Sequence, residues 1–104
     1  MNESSHEESQ IQVPPSFVAL FVEPGRIKPS ASRAHITERY EYCEDLAQLL
    51  AQRATEIRAD LGITGGDVLE RMGRGLADGS AGVDPAEAQW VATRLAELLG
   101  WRPD

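Results

Sequence analysis

Between Ile36 and Leu61, apolar residues recur at alternating spacings of four and three: Ile36, Tyr40, Cys43, Ala47, Leu50, Ala54, Ile57 and Leu61. No Gly or Pro interrupts the run. Residues three and four apart share one face of an α-helix, so this period predicts a single long amphipathic helix. Its apolar stripe has to be covered by something, which makes the expected fold class all-α. Ser30 or Ser32 can cap the start with a side-chain oxygen. Gly62 stops it by taking left-handed backbone. The predicted helix therefore covers residues 31–61.

Two further helices follow. Thr64-Gly65-Gly66-Asp67 reads as a capping box with Asp in place of Glu. It opens a helix that turns Val68, Leu69, Met72 and Leu76 inward, with Asp67–Arg71 and Glu70–Arg74 as supporting acid-first pairs. Asp84, Pro85 and Glu87 mark the last helix: a cap, a proline at the first helical position and the reciprocal carboxylate three residues on. Ala88, Val91, Leu95 and Leu98 form its stripe, and Gly100 ends it. Upstream, residues 1–13 are polar and acidic, the composition of a disordered tail. Residues 14–30 form an apolar arm and loop. Ser16 to Val22 is the most apolar stretch, but no second strand is available to pair with it. A short helix after Pro15, or an extended arm packed on helices, is the expectation. The organisation is thus a tail, an arm, and a helical domain over residues 31–101: three helices, or four with a short N-terminal one.

Length sharpens this reading. A helix of some thirty residues extends about 45 Å at 1.5 Å per residue, whereas a compact domain of this size is only about 30 Å across. The rod must break, be covered at one end by the arm, or pack on a second copy. Cys43, Ala47 and Ala54 keep its seam thin enough for a close helix neighbour, so a homodimer through this helix is the alternative to an intrachain bundle.

The formal charge is −7, from 17 acidic and 10 basic residues, and Glu3, Glu7 and Glu8 of the tail have no basic neighbour. Nucleic acid and anionic lipid both select for positive patches, so this balance argues against them and towards a basic partner. No apolar run approaches the ~20 residues that span a bilayer, and MNESSHEESQ has neither the cationic flank nor the apolar stretch of a signal peptide. A single cysteine, Cys43, forms no intrachain disulfide. The expectation is a cytoplasmic protein without a cofactor.

No residue set reads as catalytic. His6 lies in the tail, His35 has no metal-binding neighbour at ligand spacing, and Cys43 falls on the buried seam. Gly73-x-Gly75-x3-Gly79-Ser80 has the glycines of a phosphate loop without its Lys. Ile57 to Leu76 is similar to helix-turn-helix DNA-binding domains: Gly62 would make the turn and Ile57, Leu61, Ile63, Val68 and Met72 would pack. Asp67 and Glu70 would then face phosphates, which counts against it. The better candidates are for protein contacts. Phe17, Leu20 and Phe21 share one face if helical. Glu38, Glu41, Glu44 and Asp45, with Tyr42 among them, make an acidic face suited to a basic partner. Trp101, just past Gly100, either packs back on the last turn or anchors a partner.

The stretches PPSFVALFVEPGR, RYEYCEDLA and AQWVATRLAELLGW together resemble a group of short proteobacterial proteins of unassigned function, over about residues 13–101. Some carry the label "ATPase with chaperone activity", which implies a nucleotide site; the residues present supply no nucleotide-binding motif. The reading that follows is a small non-catalytic interaction or adaptor protein, with a helix-turn-helix-like DNA-binding regulator as its rival.

Overall fold

The computed structural model describes residues 12–101, and the protein is helical with no strand among them. Helix α1 covers Pro15–Val18 and continues into a 3-10 turn, Ala19–Phe21; α2 covers Arg33–Leu61, α3 Gly65–Ala77 and α4 Pro85–Leu99. The tail expected to be disordered lies outside the described residues, apart from Gln12 and Val13. The chain falls into two compact units that divide between Glu41 and Tyr42, inside α2. Each is described by itself.

In the first unit the arm is helical. Pro14 holds extended backbone, Pro15 occupies the first helical turn, and the Pro14 carbonyl accepts from the amides of Phe17 and Val18. A proline there forfeits no hydrogen bond and presets φ for the helix. Phe17 is completely buried. Its ring lies 5.6 Å from that of Phe21 and 5.7 Å, edge-on, from that of Tyr40, while Phe21 meets His35 edge-on at 5.9 Å. The arm thus covers the first turns of α2, including buried Ile36. The loop behind it is closed at its base, where the Ser30 amide and hydroxyl both donate to the Phe21 carbonyl at 2.7 and 2.9 Å. Ile27, at the loop's outer part, is 93% exposed.

Helix α2 starts at Arg33, two residues after the expected Ala31, and keeps its expected end at Leu61. The Ser32 hydroxyl accepts from the His35 amide, which settles the choice of cap, and Gly62 closes the helix at φ 64°. No break interrupts its 29 residues. The stripe is buried as its period requires, with Cys43, Ala47 and Ala54 wholly inaccessible and Tyr40, Leu50 and Ile57 half-buried. Leu61 departs from expectation: it is 56% exposed. It is the last helical residue, one step before the chain reverses at Gly62.

In the second unit α3 and α4 pack on each other, burying Val68, Leu76, Ala88, Val91 and Leu95 with Val83 of the connecting loop. Thr64 caps α3 by accepting from the Asp67 amide at 3.0 Å. Asp84 and Glu87 form the full reciprocal box on α4, at 2.8 and 3.0 Å, and Glu87 is nearly buried in doing so. The expected Asp67–Arg71 and Glu70–Arg74 pairs are not among the ion pairs of the described residues, which include Arg53–Glu56, Arg94–Glu44 and Arg94–Glu97. Exposed pairs of that kind contribute little against the entropy of fixing two long side chains, so α3 does without them.

Two stability measurements follow. Phe17→Ala empties the most buried aromatic site and should cost about 3–5 kcal/mol in denaturant titration, the usual range for such truncations. Gly73→Ala should do the reverse. A methyl group there meets nothing within 4 Å, so it should raise stability by about 0.5–1 kcal/mol through helix propensity alone.

Candidate functional site

Helix α4 ends at Gly100, whose left-handed backbone (φ 69°) no β-carbon opposes, and the Trp101 amide then turns back to the Ala96 carbonyl at 3.3 Å. This reversal sets the indole of Trp101 against the start of α3. A methyl group on Gly65 would stand 2.9 Å from the indole, closer than carbon atoms approach, so only glycine seats the ring there. Arg58 of α2 lies over the same ring, 4.8 Å from its centroid, in a cation–π arrangement. Trp101 is therefore half-buried and held by three elements.

Beside it runs a groove of about 670 Å³ between α3 and α4. Ala92 and Ala96, one turn apart on α4, give it a shallow apolar floor; Leu69 and Trp101 are its larger apolar walls. Asp67 and Glu70 line the α3 side and Glu97 the α4 side, and no basic residue lines it among the described residues. Arg94 touches Glu97 at 3.4 Å but spends its shorter bonds elsewhere.

Those bonds go to Glu44. Arg94 Nε donates to Oε1 at 2.9 Å and Nη2 to Oε2 at 3.1 Å, a two-pronged pair between α4 and α2, and Gln48 adds a bond to Oε2 at 2.8 Å. The Arg94 hydrogen bonds hold the Glu44 carboxyl below its ordinary range, against the opposing pull of partial burial. The same contact raises the Arg94 guanidinium. Such a forked pair fixes direction as well as distance.

The acidic face expected on α2 is therefore not uniform. Glu38, Glu41 and Asp45 are exposed, whereas Glu44 is half-buried in its ion pair. Tyr42 is 43% exposed, but its hydroxyl donates a short hydrogen bond to the Ala81 carbonyl. Of the arm residues, Phe17 is interior while Leu20 and Phe21 are half-buried. His35 rests against Phe21, and Cys43 is fully enclosed. Among the described residues no group of three His, Cys, Asp or Glu is placed to hold a metal ion, and no helix is long and apolar enough to cross a membrane. Sequence reasoning missed the groove, the Glu44–Arg94 pair and the exposed Leu49 (63%) and Ile27. Only Ile27 had a local signal, an apolar residue between Arg26 and Lys28 in a Pro- and Gly-marked loop. Compared with protein families, curated proteins and solved structures, the chain matches none.

Glu44→Gln tests the pair through pH. A carboxyl lowered in the folded state adds stability above its unfolded pKa, about 4.3 for Glu, and loses it as pH falls through the folded value. The variant should be less stable by about 1 kcal/mol at neutral pH. It should also show a flatter decline in stability below pH ~4.3 than the parent, which thermal melts across that range would record.

Proposed function

We propose that this protein is a non-catalytic interaction module, cytoplasmic, that presents its helix faces to another protein. The observation that carries this reading is that large apolar side chains are left in solvent while the reactive groups are enclosed or engaged. Cys43 is sealed in the α2 seam, Glu87 completes a helix cap, Glu44 is forked to Arg94 and His35 packs on an aromatic ring. Large apolar side chains, by contrast, are left in solvent: Ile27, Leu49 and Leu61 are all more than half exposed. Exposed apolar side chains of this size are the material of docking surfaces. The resemblance to short proteobacterial proteins belongs to the same proposal and adds no residue to it.

A DNA-binding role has weaker support. The outer face of α3 would set Asp67 and Glu70 beside Arg71 and Arg74, all exposed, and the carboxylates would oppose phosphate contact. Self-association through the α2 seam would have to displace the protein's own cover, since Cys43, Ala47 and Ala54 are already inaccessible in a single chain. A second copy would more readily use the opposite face, around Leu49.

The test compares the parent with Leu49→Asp and Leu61→Asp in affinity capture followed by mass spectrometry. Both substitutions lie on exposed positions, so melting temperature should hold within a few degrees. The expected result is a reproducible set of partners lost from at least one variant. An identical set from parent and both variants, with unchanged melting, would remove these α2 positions from the interaction surface and leave the reading without its main observation.

A further inference from the structure

We infer that the groove between α3 and α4 receives a cationic amphipathic helix of another protein. This rests on the interaction-module reading and gives it a partner chemistry. Ala92 and Ala96 leave room over α4 for the apolar side of an incoming helix, and Leu69 and Trp101 stand as walls on which Leu-sized anchors pack. Spacing of the anchors at i, i+4 and i+7 would keep them on the one face that meets this floor. The rim decides the charge of the guest. Asp67, Glu70 and Glu97 border the groove, its described lining has no cation, and Arg94 neutralises Glu97 only through a 3.4 Å contact shared with the Glu44 pair. An acidic guest would meet three carboxylates. A guest with Arg or Lys flanking its apolar stripe would pair with them, and the overall charge of −7 would speed its approach.

The walls are also pre-formed. Trp101 is held by the Gly65 seat and by Arg58, so little ordering is left for the binding event.

The experiment uses the full chain and a synthetic labelled peptide of Leu, Lys and Arg with apolar anchors in the i, i+4, i+7 pattern. A control peptide keeps the anchors and replaces every Lys and Arg with Glu. Fluorescence anisotropy should show saturable binding of the cationic peptide and none of the control. Glu70→Lys with Glu97→Lys should weaken it by about tenfold or more at physiological salt. Ala96→Phe fills the floor without touching a charge and should abolish it, while circular dichroism confirms that the variant is folded. Leu49→Asp, on α2, should leave peptide affinity unchanged. Peptide binding that survives Ala96→Phe overturns the inference, as does absence of binding to the parent. A light-scattering mass of twice the chain for the parent that halves in Ala96→Phe would also overturn it, because a second copy would then be the occupant. None of these outcomes depends on partner capture through Leu49, so the two proposals fail separately.

Discussion

Helix α2 is clamped to the C-terminal part of the chain at three levels: Tyr42 to the Ala81 carbonyl, Glu44 to Arg94, and Arg58 over Trp101. The first and last clamps are sixteen residues apart, about 24 Å along the helix axis. Between them the seam is made of Cys43, Ala47 and Ala54, all inaccessible. Small residues alone bury little area and so contribute modestly to the hydrophobic term. The three clamps add directional contacts to that modest term. The geometry of the second unit depends on them.

That dependence explains two glycines that would otherwise look like defects. A methyl group on Gly82 would stand 2.9 Å from the Tyr42 hydroxyl, and one on Gly65 would stand equally close to Trp101. Each glycine lies under a clamp. Gly73 and Gly75, which lie under none, have open space above them. The pattern separates glycines required by packing from glycines that only weaken α3.

Much of this was legible from residue order because it is local. A serine cap at Ser30 or Ser32, the stop at Gly62, the Asp84–Glu87 box and the turn at Gly100 each involve groups within four residues, and hydrogen-bonding chemistry dictates them directly. The stripe was legible as far as Ile57 for the same reason. Leu61 obeys the period yet is exposed, because period says which face a residue occupies and not how far along the helix the cover extends. The Glu44–Arg94 pair joins positions fifty residues apart, and nothing local distinguishes Glu44 from Glu41 or Asp45. Phe17 was ambiguous because burial against the protein's own aromatics and docking on a partner call for the same side chain. The groove was invisible for a similar reason: its lining comes from three separate stretches of sequence and is only assembled when α3 and α4 pack.

Trp101 links the closing of the fold to the surface proposed for binding. One face of its environment is Gly65 and the Arg58 guanidinium, which together fix the ring after the reversal at Gly100; another is the groove, where the same ring serves as a wall. A side chain held from α2 and α3 cannot move at the groove without disturbing those contacts. The proposed occupant would therefore meet a ring already fixed in place.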